Sequence, residues 1–204
     1  MLEKKLKKIS VRKANILEHE KCSKSAVLVP LLQYENEPYF LFEKRSYKLN
    51  KQPGEVCFPG GAIEKHDKNA RQAAIRESCE ELSLAPDDIE LLAPLDVFVG
   101  PLNNIVYPFL AYIKSSEKIK ANPEEVEYVF CVPLEHLLNS EPLSKDLGIT
   151  LNFPDDYPFD LVPKGKEYPY PRASFSQKFY FWQDEIIWGL TARILFHVLD
   201  LFKD

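Results

Sequence analysis

The chain has 204 residues, enough for one domain with elaborations and a sizeable core. Its composition, 45% hydrophobic and 28% charged, is that of an ordinary globular domain, and the net charge of −5 gives no electrostatic ground for a nucleic-acid partner. Four cysteines without a close pair argue against zinc clusters and dithiol redox motifs and fit a reduced, cytoplasmic protein.

The basic run from Lys4 to Lys13 reads as the solvated face of a short helix over residues 2–17. No apolar leader follows it, no stretch is long enough to span a bilayer, and the end, Leu201-Phe202-Lys203-Asp204, is not a peroxisomal address; no membrane partner is expected. Residues 25–32 and 38–42 read as two strands joined by the polar turn Glu35-Asn36-Glu37. A short extended piece, 54–58, ends at the breaker Pro59-Gly60-Gly61. Residues 69–82 have helical composition, with Pro86 as the stop. Residues 89–99, 105–113 and 126–132 read as strands, and a short helix starts at Pro133. From 143 to 183 the prolines and aromatics suggest one long ordered loop. Residues 184–202 close the chain as an amphipathic helix, with Ile187, Leu190, Ile194, Leu195, Val198 and Phe202 near the helical period. Mixed strands with a few long helices indicate an α/β or α+β sandwich.

The chemistry concentrates in the central helix. Residues three and four apart share a helix face, so Glu77, Glu80 and Glu81 fall on one stripe, with Arg76 a turn before Glu80. Such carboxylates repel one another, and they repel a polyphosphate, unless cations intervene. All-oxygen ligation suits Mg²⁺ or Mn²⁺. With a cation present, coordinated water becomes a nucleophile for phosphorus, and a neighbouring glutamate can serve as general base. The glycine turn lets backbone approach the ion closely enough for a carbonyl ligand. The competing interpretation is a solvated Glu/Arg helix face with no chemistry.

Gly61, Asp67, Arg76-Glu77 and Glu80-Glu81 together resemble the Nudix box, with three departures. Eight residues rather than seven separate Asp67 from Arg76, Ser78 stands at an apolar position, and Ser83 replaces a glycine. Upstream, Leu41-Phe42-Glu43-Lys44-Arg45-Ser46 and Gly54-Glu55-Val56-Cys57-Phe58-Pro59-Gly60-Gly61 resemble the coenzyme A pyrophosphatase branch of that family, as does Ile187-Trp188-Gly189-Leu190-Thr191-Ala192 near the end. The resemblance implies a single Nudix-type α/β/α sandwich around a mixed sheet, with a core over about 22–142 and the box at 61–84. It also implies Mg²⁺- or Mn²⁺-dependent hydrolysis of coenzyme A or its thioesters to phosphopantetheine and adenosine 3′,5′-bisphosphate. Carried over by position, Glu77, Glu80 and Glu81 hold the cations with the Gly61 carbonyl, and Arg76 orients the carboxylates. Glu77 is the first choice as base, with Glu124 or Glu125 in reserve. Self-association into a homodimer is a further expectation.

Other residues carry two readings each. Arg45 with Ser46 suits a phosphate of the substrate or a structural salt bridge, and Phe58 and Gly60 of the upstream signature are assigned to the substrate side. Trp188 and Phe181 read as core aromatics more readily than as an adenine stack. Cys57 reads as a small apolar strand residue, and Thr191 as a back-bonding helix residue or a pocket wall. No role is assigned to His19, His66, His136 or His197, although His66 borders the box. Two rival functions stay open: hydrolysis of another nucleoside diphosphate derivative (ADP-ribose, NADH or a dinucleoside polyphosphate), and a non-catalytic nucleotide-binding domain.

Overall fold

The computed structural model describes residues 1–203. In chain order the elements are α1 (Leu2–Ser10), β1 (Ser23–Tyr34), β2 (Glu37–Arg45), β3 (Val56–Cys57), β4 (Gly60–Ala62) and α2 (Ala70–Leu82). Then come β5 (Ile89–Pro94), β6 (Phe98–Gly100), β7 (Asn104–Ile113), β8 (Val126–Pro133) and α3 (Leu134–Asn139). The chain closes with β9 (Leu143–Ile149), β10 (Ala173–Trp182), β11 (Glu185–Trp188) and α4 (Gly189–Leu201).

Eight strands form one mixed sheet. β1 and β2 make a hairpin whose two turn residues, Glu35 and Asn36, both have positive φ (50° and 69°), the backbone twist that matches two-residue hairpins. β1 also runs parallel to β7, from Ser23 opposite Asn104 to Leu31 opposite Tyr112. β3 and β8 flank β2, while β5 and β6 lie antiparallel on β7. The short strand β4 pairs with β1 and sets Gly61 opposite Ala26.

Alternation along the strands creates two buried faces. Phe40 and Phe42 of β2 pack with Val29 against α3 and α4, where Leu137, Ile194, Leu195 and Val198 are buried. Leu41, between them, faces the other side with Ala26 and Leu28, against Ala73, Ala74 and Leu82 of α2. The result is an α/β/α sandwich. Full burial of a Leu or Phe side chain stabilises by roughly 1.5–3 kcal/mol, so these two faces fix how α2 sits on the sheet.

Several sequence expectations need correction. The N-terminal helix ends at Ser10, and none of its residues is buried. The strand expected over 89–99 is two strands, broken at residues 95–97. The segment 143–183 is not one loop: β9, β10 and β11 form a separate antiparallel sheet. Only 150–172 is irregular, and there Phe153 gathers Tyr157, Phe159 and Tyr170 at centroid distances of 4.7–5.3 Å. Every residue of β9 is exposed, so it carries no burial alternation from which a strand is legible. The last helix begins at Gly189 rather than Asp184, because Gln183 (φ 51°) turns the chain between β10 and β11. Nor does Pro86 end α2. Ser83 does so in the left-handed conformation (φ 54°, ψ 37°), and the Leu84 amide donates back to the Cys79 carbonyl at 3.2 Å. Among the described residues no helix is long and apolar enough to cross a membrane.

Candidate active site

Asn69 opens α2 by accepting a hydrogen bond from the Gln72 amide at 3.0 Å, so the helix begins one residue after the loop that follows the glycine turn. Ala73 and Ala74 are fully buried, which draws the helix close to the sheet and turns Glu77 and Glu81 toward β4. A Cβ at Gly61 would sit 2.5 Å from the Glu77 carboxyl carbon; only glycine lets the two meet. The Glu81 Oε2 accepts the Gly60 amide at 2.7 Å, and Gly60 itself has φ 144° and lies against the Ala26 carbonyl.

Arg76 ties the acids together. Its Nε and Nη2 donate to Asp67 at 3.1 and 2.9 Å, Nη2 also donates to the Ala62 carbonyl at 3.2 Å, and Nη1 pairs with Glu77 at 2.9 Å and Glu80 at 3.5 Å. The Arg76 hydrogen bonds hold the Asp67 carboxyl down at about 2. The three glutamates are not equivalent. Glu81 is buried, Glu77 half-buried, and the Glu80 side chain stands 53% exposed on the outer side.

A fourth acid, Glu43 on β2, joins them. It is 0% exposed, its Oε1 accepts the Cys57 thiol at 3.1 Å, and its Oε2 has no partner. Burial, first of all, pushes Glu43 up to about 7 and Glu81 up to about 10; the Glu43 charge adds to the rise at Glu81. Glu77 is also raised by burial, against the pull of Arg76. Glu125 faces the same group, since its charge is felt by Glu43, Glu77 and Glu81. Glu124 is exposed. Sequence reading missed Glu43; the signal was a lone acid directly after the apolar run Phe40-Leu41-Phe42, in phase with the α2-facing Leu41.

The remaining residues singled out from sequence fall elsewhere. Phe58 is buried and stacked on Phe42 at 4.8 Å, so it belongs to the core rather than to a substrate surface. Ser46 is fully buried, with its hydroxyl accepting the Lys48 amide at 3.4 Å. Arg45 is partly buried near Glu43, and its Nε has no partner. The Gly60 amide is spent on Glu81. Cys57 is a thiol raised well above its usual range by burial and by Glu43, hence no nucleophile. Trp188 and Phe181, expected in the core, are 39% and 54% exposed. Trp188 stacks parallel to Phe179 and lines a cavity of about 570 Å³ with Phe98, Leu102, Leu190 and Arg193. Thr191 donates across to the Val56 carbonyl at 3.2 Å rather than back along its own helix. A second hollow, about 610 Å³, runs along α2 past Gln72, Ile75, Arg76 and Glu80.

Among the described residues no three His, Cys, Asp or Glu side chains already stand at the spacing of a closed metal cage. The donors nevertheless fit a hard divalent cation. They are all oxygens, one is buried without a partner, and Mg²⁺ commonly takes only one or two carboxylates, with water and substrate phosphate completing its shell.

The NUDIX domain matches residues 23–150, and the chain belongs to that family, whose hydrolases act on small nucleotide derivatives with divalent cations. Among individual proteins, it is 35% identical over 137 residues to the peroxisomal coenzyme A diphosphatase NUDT7 of Mus musculus, covering 66% of this chain and 58% of that protein. It is 33% identical over 178 residues to the Nudix hydrolase NudL of Enterobacter sp. strain 638, covering 84% and 78%. The crystal structure of a MutT/nudix family protein from Enterococcus faecalis covers 100% of this chain and 70% of its own, with TM-score 0.54 and 16% identity, a likeness of fold.

Proposed function

We propose that this hydrolase uses Mg²⁺ or Mn²⁺ to split the pyrophosphate of coenzyme A or acyl-coenzyme A into phosphopantetheine and adenosine 3′,5′-bisphosphate. The observation that carries the reaction class is the Arg76-held carboxylate row folded onto Gly61. Likeness to the mouse coenzyme A diphosphatase supports the substrate. So do the upstream residues from Leu41 to Ser46, whose branch pattern the chain shares.

Glu77, Glu80 and Glu81 are the box residues that would hold the cation, with the Gly61 carbonyl as a further donor. A bound cation would neutralise phosphate oxygens and acidify its water. Arg76 does the positioning. It gives one nitrogen to Glu77 and Glu80 while anchoring its other nitrogens on Asp67, so the acids keep their direction without collapsing onto one another. Glu81 fixes the glycine turn through the Gly60 amide. Glu77 is our choice as general base. Of the two reserves, Glu125 is favoured, because its charge reaches Glu77.

We further propose one catalytic domain, a cytoplasmic location in keeping with four free cysteines, and a homodimer, for which the open, fully exposed edge strand β9 is one surface. A substrate panel tests the main proposal. With Mg²⁺ or Mn²⁺, adenosine 3′,5′-bisphosphate should appear from coenzyme A faster than AMP appears from ADP-ribose or NADH. The reverse order moves the substrate to another nucleoside diphosphate derivative; no turnover of any member favours a nucleotide-binding role.

A further inference from the structure

The Cys57 thiol occupies only one oxygen of Glu43, and nothing in the fold offsets the burial of the other. Glu43 lies on β2 two residues after Leu41 and so faces the α2 side of the sheet, where an apolar side chain would pack without cost. A buried carboxylate oxygen without a partner is expensive, typically by a few kcal/mol. Yet the Glu43 Oε2 has none, and its neighbour on this side of the sheet is a second buried acid, Glu81. Arg45, the cation beside Glu43, makes no ion pair with it, and its own Nε is unpartnered. Both acids also grip the segment that enters the box: Glu43 holds the Cys57 thiol at 3.1 Å, and Glu81 holds the Gly60 amide at 2.7 Å. Two neighbouring buried acids, on elements fixed by core packing, must share either a proton or a cation, and the unpartnered Oε2 of Glu43 is an oxygen a cation can take.

We propose that Glu43 is a ligand of the divalent cation, paired with Glu81 and supplied by the sheet rather than by the box helix. This rests on the proposed dependence of the enzyme on Mg²⁺ or Mn²⁺. A two-carboxylate pair suffices for such an ion, whose other positions go to water and phosphate. Glu43 thereby explains how a buried Glu81 and a more exposed Glu80 serve the same site: the inner cation is shared with the sheet.

The test is Mn²⁺ binding itself, followed by calorimetry and by the paramagnetic resonance of free Mn²⁺, on the full chain without substrate. Wild type, Glu43→Gln and Glu80→Gln are compared, together with their melting temperatures in chelator. Glu43→Gln should weaken Mn²⁺ binding at least tenfold, and in chelator it should melt at or above the wild-type temperature, since the amide removes a buried charge. Unchanged Mn²⁺ affinity in Glu43→Gln, alongside a loss in Glu80→Gln, overturns the assignment and leaves the cation-dependent reading standing. A wild-type protein that binds no Mn²⁺ overturns both. Should Glu43→Gln not fold, Glu43→Asp, which draws the carboxylate back by one methylene, is held to the same two outcomes.

Discussion

Arg76 and Asp67 are joined by a two-pronged pair of hydrogen bonds, 3.1 Å from Nε and 2.9 Å from Nη2, and it is this pair that leaves Nη1 free to reach Glu77 and Glu80. A planar guanidinium can make both connections at once; an ammonium cannot. Arg76→Lys should therefore lower kcat by about 10²-fold or more, with a melting temperature within a few degrees of wild type. Steady-state kinetics beside thermal melting checks this, and an unchanged kcat would remove Arg76 from the site. Asp67, held at about 2, has a folded value below its unfolded 3.8, so its contribution is present above pH 3.8 and fades only as pH falls toward 2. The pair is intact across the whole neutral range.

Glu43 and Glu81 have the opposite sign. Their folded values, about 7 and about 10, lie above the unfolded 4.5, so the native state grips these protons more tightly than the unfolded chain does. Their stabilising contribution is full below pH 4.5 and is lost as pH rises, through 7 for Glu43 and onward toward 10 for Glu81. Protein kept in chelator should thus melt several degrees lower at pH 8 than at pH 5.5, with Mn²⁺ restoring the difference at pH 8. Glu81→Gln should flatten the dependence. A melting temperature independent of pH in chelator would contradict the burial of these acids.

Two departures from the box have a local cost that substitution should recover. Ser78 is fully buried on α2 and its hydroxyl has no partner, so Ser78→Ala should be neutral or stabilising by up to about 1 kcal/mol. Ser83 caps α2 in the left-handed region, where an L side chain is disfavoured by roughly 1–2 kcal/mol and glycine is not. Ser83→Gly should raise stability by about 1 kcal/mol and leave kcat unaltered. Denaturant titration reads both.

Gly61 and Gly60 should differ in kind. The Cβ of Gly61→Ala meets the mobile end of Glu77, so the fold survives while the carboxylate is displaced and kcat falls at least tenfold. The Cβ of Gly60→Ala meets the Ala26 carbonyl and the Val27 backbone at φ 144°, a conformation open only to glycine, so loss of stability leads. Equal kcat for Gly61→Ala and wild type would detach the glycine turn from catalysis.

Much of this was legible in the chain itself, where a periodicity or a turn chemistry was strong. Ala70 to Leu82 showed a helix, and Glu35-Asn36 a hairpin, because local preference and tertiary packing agree there. The alternation of Phe40, Leu41 and Phe42 set the two faces of β2, yet Glu43 was passed over, since an acid after an apolar run ordinarily marks the point where a strand reaches water. Only the approach of α2 closes that end. Phe58 and Ser46 are buried for a reason the sequence does not carry: membership of the upstream signature does not say which side of the sheet a residue takes. The small sheet of β9, β10 and β11 escaped because its outer strand has no buried face and proline-rich chain separates its first two strands. Trp188 reads as core by its neighbourhood to α4, but on β11 it is out of phase with the buried Ile187 and so takes the exposed face.

The most direct measurement is coenzyme A turnover against Mn²⁺ concentration, for wild type and for the double substitution Glu80→Gln with Glu81→Gln, with circular dichroism to verify the fold. The carboxylate row of α2 requires turnover that is absent in chelator, rises with Mn²⁺ in the wild type, and drops by about 10³-fold or more in the double variant. Full turnover in chelator, or an undiminished rate in a folded double variant, would contradict the placement of the chemistry on this helix.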